Sequence, residues 1–416
     1  MGITKNFFTN ICLMIILIGI DIPLGIAQTI PVAHHSSSQA KASNIGYKVV
    51  GYFPNWGMYR TPSIYPHDID AGLVTHINYA FIKVDISGNL ILIDPWADTD
   101  YRSNWNEQKP YWGHFRELYD LKQKHPHLKT LVSIGGWTLS DTFSELADNP
   151  KARSNFVKNV MIFCKQYDFD GVDIDWEYPG FTEHQGRPQD KTNYTLLLKE
   201  LYKAAKDQKT PLLVTIAAPA GPWHCQNMEI HQIHHYLDWI NLMSYDFHGG
   251  WGGSEDGITN HHSGLYPSNQ GHPELNVYSA VMHYLQQGVP SEKLVVGIPL
   301  YGRSFGGVKN SSDGLFSPFM GPGKGTTQEV GMRFFSDIKQ NLLSTYQFHW
   351  DANAQVPYLY SPSLHEFITY DNEDSMRLKC QFIKEMKLGG VMVWELGLDV
   401  RPTWDAMNAI NDKLNP

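Results

Sequence analysis

Cysteine is scarce in this sequence, with four residues in a chain of 416. Cys12 lies in an apolar stretch near the N-terminus. The others, Cys164, Cys225 and Cys380, are odd in number and lack the spacing of a disulfide framework or a metal site. We therefore predict neither disulfides nor a metal site. Cys164 and Cys380 fall in stretches of helical period and are expected to be buried thiols.

Charged residues are also few, at 18% of the chain, and positive charge is in deficit. The chain has 33 Lys and Arg against 42 Asp and Glu, which gives a net charge of -9. Without a basic field there is little to attract a phosphate backbone, so nucleic acid is not an expected partner. No cofactor is expected either. A coiled-coil heptad pattern is missing, and we expect a monomer.

Long apolar runs are missing beyond the N-terminus. Lys5, the apolar run 11–20 and the small residues at 25–27 have the pattern of a secretory signal peptide, which we place at 1–27. The run is too short to span a bilayer comfortably, and an uncleaved anchor is the alternative. A Ser-rich spacer at 28–45 follows. The prediction is a secreted protein, extracellular or periplasmic, without a stable membrane span after cleavage.

Aromatic residues, by contrast, are abundant. They form 13% of the chain and include 12 Trp and 22 Tyr. This exceeds what core packing usually requires and indicates contact with sugars or other flat ligands. A Trp-rich core is the alternative that composition leaves open.

Short apolar runs alternate with longer stretches of helical period along most of the chain. Such repeated β-α units imply a parallel sheet, and eight of them predict an α/β fold, a closed (β/α)8 TIM barrel. The apolar runs are 47–53, 76–84, 130–135, 169–176, 212–218, 240–245, 294–301 and 390–396. Helices are predicted at 153–167, 193–206 and 275–287, where apolar residues recur at the spacing of one helical face.

The alternation stops after the seventh run. Residues 306–368 are rich in Gly, Ser and Tyr rather than in helix formers. We predict that they form a small α+β insertion domain between barrel strands 7 and 8. The barrel itself would then consist of residues 46–305 and 369–416.

Segment 170–179 reads Asp-Gly-Val-Asp-Ile-Asp-Trp-Glu-Tyr-Pro and is the strongest local signal. Side chains alternate faces along a strand, so Asp173, Asp175 and Glu177 should point the same way, about 6.6 Å apart. On a barrel strand that face is the interior. Burying uncompensated acids is costly, so proton sharing is expected. Sharing raises the pKa of at least one acid toward the range useful for general acid catalysis.

A solvated acidic edge is the alternative interpretation of this segment. It would place polar residues between the acids, yet Val172, Ile174 and Trp176 are apolar. Glu177 is the last acid and should lie at the carboxyl-terminal end of its strand, where barrel active sites lie. We therefore predict Glu177 as the proton donor.

The motifs of this chain resemble those of glycoside hydrolase family 18 chitinases. The pattern Asp-Gly-x-Asp-x-Asp-x-Glu on the fourth strand is the signature of that family. Further matches are Ser133-Ile134-Gly135-Gly136 on the third strand, Met243-Ser244-Tyr245-Asp246 on the sixth, Tyr301-Gly302-Arg303 after the seventh and Trp394 on the eighth. The resemblance extends from about residue 47 to residue 405.

The resemblance implies a retaining, substrate-assisted chitinase that cleaves β-1,4 linkages between N-acetylglucosamine units. Glu177 would protonate the glycosidic oxygen, and the substrate's own acetamido oxygen would attack the anomeric carbon. Asp175 would align the acetamide and Tyr245 would donate to its carbonyl oxygen. Asp173 would share a proton with Asp175. Chitin or a chito-oligosaccharide is the implied partner.

The same resemblance implies a set of substrate-binding residues. Trp394 would form the floor under the distorted sugar, with Met243 and Asp246 lining the same site. The other implied cleft residues are Gly136, Trp137, Trp56, Tyr52, Phe81, Trp251, Tyr301, Arg303 and Met392. Glu395 departs from the apolar or small residue of many relatives, which bears on subsite preference. The insertion would deepen the groove and favour product release from a chain end.

Three other functions fit parts of the pattern. A lectin-like barrel would bind the oligomer without cleaving it, but Glu177 is present. An endo-β-N-acetylglucosaminidase acting on N-glycans shares the acidic motif, whereas the aromatic residues and the insertion favour a linear polymer. A structural or inhibitory barrel leaves the acids unexplained.

Overall fold

The computed structural model describes residues 46–102, 109–251, 257–309, 312–327 and 329–415. The predicted signal peptide at 1–27 and the spacer at 28–45 lie outside these ranges. Within them, none of the helices combines the length and the hydropathy needed to cross a membrane.

Eight parallel strands close into a barrel, which confirms the predicted (β/α)8 fold. Their bounds are Lys48–Pro54, His76–Val84, Lys129–Gly135, Gly171–Asp175, Leu213–Pro219, Trp239–Met243, Leu294–Pro299 and Gly390–Trp394. The first strand pairs with both the second and the eighth, and these pairings close the sheet. A short strand, Leu90–Leu92, pairs antiparallel with the second strand.

Helices follow the barrel strands. The α-helices of the barrel are Gly113–Lys124, Phe143–Asp148, Pro150–Tyr167, Asp190–Lys206, Pro222–Cys225, Ile230–Ile233, Val277–Gln286, Glu373–Glu385 and Asp405–Leu414. Three of them begin after an asparagine whose side chain accepts hydrogen bonds from backbone N–H groups of the first turn: Asn149, Asn276 and Asn372. These caps fix the points at which loop becomes helix.

Alternation along the strands creates two apolar cores. On the first strand, Val49 and Phe53 pack in the large cluster that includes helix residues, whereas Val50 and Tyr52 belong to a separate cluster. The second cluster draws one or two residues from most of the barrel strands, including Met392 from the eighth. This second cluster is therefore the apolar core inside the barrel.

A second, antiparallel sheet lies between barrel strands 7 and 8 in the chain and fits the predicted α+β insertion. Its strands are Tyr301–Gly306, Gly321–Pro322, Met332–Phe334, Gln347–Asp351, Val356–Ser361 and Glu366–Thr369, with a short helix at Phe335–Asp337. Since Tyr301–Gly306 pairs with Met332–Phe334 and Glu366–Thr369, this sheet begins before the predicted start at residue 306. Gly302 permits the pairing, because a Cβ there would lie 2.7 Å from the carbonyl oxygen of Thr369.

Candidate active site

Asp173 is fully buried inside the barrel and is surrounded by neutral donors. The parallel register places Ser133, Asp173 and Thr215 opposite one another on adjacent strands. The carboxylate accepts hydrogen bonds from Tyr52 Oη at 2.7 Å, Ser133 Oγ at 2.8 Å, Thr215 Oγ1 at 2.6 Å and Asn241 Nδ2 at 3.1 Å. Burial raises the pKa of Asp173, and these donors oppose the rise. The side chain is thus fixed from several directions.

Asp175 ends the same strand in a different environment. Its exposed fraction is 3%, and its Oδ1 atom has no hydrogen-bond partner. Burial, followed by the charges of Glu177 and Asp173, raises the pKa of Asp175 well above its usual range. Among the described residues no hydrogen bond joins the carboxyl groups of Asp173 and Asp175, so their proton sharing stays a prediction. Asp175 retains unused hydrogen-bonding capacity for a ligand.

Glu177 lies just past the strand, which ends at Asp175. It is partly exposed, whereas Asp173 and Asp175 are buried. Burial raises the pKa of Glu177 to about 7, a hydrogen bond with Tyr178 opposes the rise, and the charge of Asp246 adds to it. Glu177 can therefore hold a proton near neutral pH and meet a ligand from solvent.

Asp246 is clamped by residues of the second sheet. Arg303 donates to it from Nε to Oδ1 and from Nη2 to Oδ2, both at 2.7 Å, and Tyr301 Oη donates at 2.9 Å. Although burial acts against the charge, Arg303 holds the pKa of Asp246 well below its usual range. The guanidinium also lies 5.1 Å from the ring centre of Trp251. The clamp joins the end of barrel strand 6 to the insertion.

The hydroxyl of Tyr245 points at a weak acceptor, the sulfur of Met392 at 3.8 Å. Burial, then the neighbouring Tyr301 and the acids, raise the pKa of Tyr245 well above its usual range. Met243 and Met392 belong to the apolar cluster inside the barrel. Tyr245 therefore keeps its proton and can donate it in a hydrogen bond to a ligand.

An aromatic group surrounds Trp394 at the end of the eighth strand. The ring centre of Trp394 lies 5.5 Å from that of Tyr52, 5.7 Å from Phe81 and 6.4 Å from Trp56. Phe81 is one reason why position 136 is a glycine, because a Cβ there would lie 2.6 Å from the Phe81 ring. The other reason is the backbone φ of +92° at this residue. These rings form a continuous apolar surface next to Asp173.

Two further predicted residues lie at the rim. The exposed fractions of Trp137 and Trp251 are 51% and 42%, which is high for tryptophan. The ring centre of Trp137 is 4.4 Å from that of His184 and 5.9 Å from Phe181. The predicted site residues thus lie inside the barrel, at the ends of its strands or on the adjoining strand Tyr301–Gly306.

Sequence reasoning missed four residues that support this site. Thr215 and Asn241 hold Asp173, and strand periodicity combined with register could have identified them. Ser140 and His184 bind the backbone of Glu177, and as loop residues they carry no periodic signal.

No set of three or more His, Cys, Asp or Glu side chains is arranged to hold a metal ion in the part of the chain that the structure describes. Cys164, Cys225 and Cys380 are buried free thiols. The acids at the barrel mouth interact with hydroxyl, amide, tyrosine and arginine groups of the chain itself.

A closed (β/α)8 barrel with acids and an aromatic floor where its strands end has the architecture of a barrel glycosidase. Residues 48–399 match the family model described as Glycosyl hydrolases family 18. The chain belongs to this family, which confirms the resemblance seen in its motifs.

Several chitinases are among the relatives of this chain. The chain is 35% identical to Chitinase A1 of Niallia circulans over 451 residues, covering 96% of this chain and 62% of that protein. It is 34% identical to Endochitinase 1 of Metarhizium robertsii, covering 85% and 82% respectively. The solved structure of chitinase ChiA74 from Bacillus thuringiensis superposes with a TM-score of 0.82 at 34% identity, covering 89% of this chain and 70% of that one. The chain is a glycosidase that groups with the chitinases of its family.

Proposed function

We propose that this protein hydrolyses the β-1,4 linkages of chitin and chito-oligosaccharides with retention of anomeric configuration. The observation that carries the proposal is the contrast among three acids in one short segment. Asp173 is fully hydrogen-bonded, Asp175 is buried with an unpaired oxygen, and Glu177 is open to the cleft with a pKa raised to about 7. The similarity to chitinases supports the substrate class.

The chemistry begins with proton donation from Glu177 to the glycosidic oxygen. A pKa near 7 leaves a substantial fraction of this group protonated at neutral pH, which suits a general acid. The acetamido oxygen of the sugar attacks the anomeric carbon as the leaving oxygen departs, and an oxazolinium ion forms. Water then opens this ion, with Glu177 accepting the proton. Both displacements invert the anomeric carbon, so the product keeps the starting configuration.

Asp175 and Tyr245 serve the acetamide group of the substrate. Oδ1 of Asp175, which has no partner among the described residues, accepts the acetamide N–H. When the proton held by Asp175 passes to Asp173, the Asp175 carboxylate stabilises the positive charge of the oxazolinium ion. The Tyr245 hydroxyl, whose partner in the described residues is the weak acceptor sulfur of Met392, donates to the acetamide oxygen. Asp173 acts on the opposite side of Asp175, as a fixed neighbour whose charge helps to raise the pKa of Asp175.

Trp394 provides the surface on which the reacting sugar lies. Its ring is held by Tyr52, Phe81 and Trp56, so stacking does not require it to move. Binding energy from this stacking can be applied to ring distortion toward the transition state. Trp137 and Trp251, exposed at the rim, extend the apolar surface for further sugars.

The deciding experiment follows the products of chitohexaose by NMR. We expect dimers and trimers that appear first as the β-anomer. Glu177→Gln should bind the oligomer but lose roughly 10²- to 10⁴-fold in turnover. Glu183→Gln is the matched control, because Glu183 is an exposed acid on the next loop and should leave turnover unchanged.

Other outcomes of this experiment select other functions. Binding without cleavage by the wild-type protein would identify a lectin. Initial release of the α-anomer would exclude the retaining mechanism. Cleavage of an N-glycosylated protein in place of chitohexaose would identify an endo-β-N-acetylglucosaminidase.

We also infer that the insertion serves the cleft and that the protein is exported. Tyr301 and Arg303 from the insertion's sheet line the site, which favours a deep groove and release from a chain end; random internal cuts would contradict this.

Export predicts that protein recovered from the culture medium begins at Gln28. An intact N-terminus in the membrane fraction would contradict cleavage.

A further inference from the structure

Both backbone polar groups of Glu177 are bound by side chains from loops. The N–H of Glu177 donates to Ser140 Oγ at 2.9 Å, and its carbonyl oxygen accepts from His184 Nδ1 at 2.6 Å. Glu177 lies beyond the last strand residue, so the sheet's hydrogen bonds no longer fix its backbone. Ser140 and His184 replace the sheet as its support.

The contact with His184 fixes the tautomer of the imidazole ring. A carbonyl oxygen can only accept, so Nδ1 must carry the proton. In the neutral ring Nε2 is then the unprotonated nitrogen. The proposed reaction uses neither nitrogen, and the contact therefore needs another explanation.

The loop that carries His184 is itself held in place. The backbone N–H groups of His184 and Gly186 both donate to the Phe181 carbonyl oxygen, at 3.0 and 2.8 Å. A Cβ at Gly186 would lie 2.3 Å from the Phe181 nitrogen, so this turn requires glycine. At the base of the loop, Asp190 accepts from the N–H of Arg187 at 2.7 Å. His184 thus meets Glu177 from a preorganised turn.

Ser140 and His184 also adjoin the exposed Trp137. Ser140 directly follows the short helical turn Trp137–Leu139, and its hydroxyl donates to the Gly136 carbonyl oxygen at 2.9 Å. The imidazole of His184 packs at 61° to the indole of Trp137, 4.4 Å between ring centres. The supports of the proton donor and the exposed indole therefore belong to one packed group.

We propose that His184 is a positioning residue that couples Glu177 to sugar bound at Trp137. Its Nδ1 holds the backbone of the proton donor through the Glu177 carbonyl oxygen, and its ring packs against the indole of Trp137. A sugar stacked on Trp137 and the carboxyl of Glu177 are thereby kept in one frame. The inference rests on the proposed hydrolysis of chitin.

Three substitutions separate the two contacts of His184. His184→Asn keeps an N–H near the position of Nδ1 but loses the ring, His184→Gln places its amide near Nε2, and His184→Ala removes both. With chitohexaose, the Gln and Ala variants should lose about tenfold in kcat, because the donor is misplaced by a fraction of an ångström. The Asn variant should keep kcat within about twofold. All three should raise KM, since each loses the ring contact.

The pH profile gives a readout that simple loss of stability would not move. Without the imidazole, water reaches Glu177, which lowers its pKa toward the usual value. The basic limb of the kcat profile should therefore move to lower pH in the Ala variant. His127→Ala is the matched control, because His127 Nε2 also contacts a backbone carbonyl oxygen, that of Ala71 at 3.0 Å, before barrel strand 3 begins. This control variant should change neither kcat nor the position of the basic limb of the pH profile.

Equal kcat losses in the Asn and Ala variants, or an Ala variant with wild-type kcat and pH profile, would overturn the proposal. A second measurement does not depend on turnover. In 15N NMR of the Glu177→Gln protein, His184 should be protonated at Nδ1, and its resonance should shift when chitohexaose binds. An Nε2–H tautomer, or no shift at saturating oligomer, would refute the coupling even if the wild-type protein proved to be a lectin.

Discussion

Two regions of this molecule contain buried acids with opposite surroundings. Where the insertion returns to the barrel, Asp371 accepts from Lys379 Nζ at 2.6 Å, Ser263 Oγ at 2.6 Å and Ser375 Oγ at 2.7 Å. Asp175 at the barrel mouth is almost as buried, yet the described residues give it neither an ion pair nor a partner for Oδ1.

The difference separates structural acids from acids available for chemistry. A buried charge with a cation and two hydroxyls is compensated, so it can fix one packing arrangement. A buried acid left without partners keeps a raised pKa and an open hydrogen-bonding position, and such perturbed groups cluster at functional sites. What sets Asp175 apart from Asp371 is the oxygen that has no partner among the described residues.

Removing the cation of the compensated region should have the largest effect. Lys379→Met leaves Asp371 as an uncompensated buried charge and should lower the free energy of unfolding by about 3 to 5 kcal/mol. Urea denaturation measures this loss. The double variant Lys379→Met, Asp371→Asn should recover part of it. A single variant with wild-type stability would show that the pair is not needed.

Neutralising the uncompensated acid, Asp175, should lower activity and leave stability unchanged or higher. Asp175→Asn should lower kcat/KM by roughly 10²- to 10³-fold, about 3 to 4 kcal/mol in the barrier, since the oxazolinium ion loses its charged partner. Stability should hold or rise, because repulsion from Asp173 and Glu177 is relieved. Hydrolysis of chitohexaose and thermal unfolding test both parts. A variant that unfolds easily would make Asp175 a structural acid like Asp371.

An intermediate case is Asp246, an acid of the site that does have a cation. Arg303→Met should cost about 1 to 3 kcal/mol of stability at neutral pH. The pKa of Asp246 is lowered in the folded protein, so its contribution is present above the unfolded pKa and disappears as pH falls through the folded value. The difference between wild type and variant should therefore shrink in acid. A constant difference across pH would exclude the ion pair as its source.

The smallest expected effect is the contribution of the proton donor, Glu177, to the stability of the protein. The pKa of Glu177 is raised from 4.5 to about 7 by folding, so wild-type stability should fall as pH rises through this window. Glu177→Gln cannot lose a proton, and it should be about 1 to 2 kcal/mol more stable than wild type at pH 8 but not at pH 4. This is roughly half of the ~3.4 kcal/mol that the full rise in pKa corresponds to, because solvent screens the partly exposed carboxyl. Denaturation at both pH values checks this. Equal differences at the two would contradict the raised pKa.

Periodicity predicted the barrel because each strand repeats the same pattern of two faces. It also placed Asp173 and Asp175 on the interior face, as the structure shows. At Glu177 the strand has ended and the residue is partly exposed, although its charge still acts on Asp175. Periodicity describes the inside of an element and says nothing about the residue just beyond it.

The remaining differences come from long-range pairing and from loops. Tyr301–Gly306 has the composition of a strand, but only its partners near Phe334 and Thr369 show that it joins the second sheet. His184 and Ser140 contact Glu177 through loops whose conformations depend on glycine and on distant carbonyl groups. A local pattern in the sequence cannot reveal such contacts.

The strand Tyr301–Gly306 has a consequence for protein engineering. It is anchored in the insertion, yet it delivers Tyr301 and Arg303 to an aspartate of the barrel. A chimera that exchanges the insertion at residues 307–365 would leave this strand and its partner Glu366–Thr369 in place, but would remove its other partner, Met332–Phe334. An exchanged insertion must therefore supply an equivalent strand if Tyr301 and Arg303 are to keep their hold on Asp246.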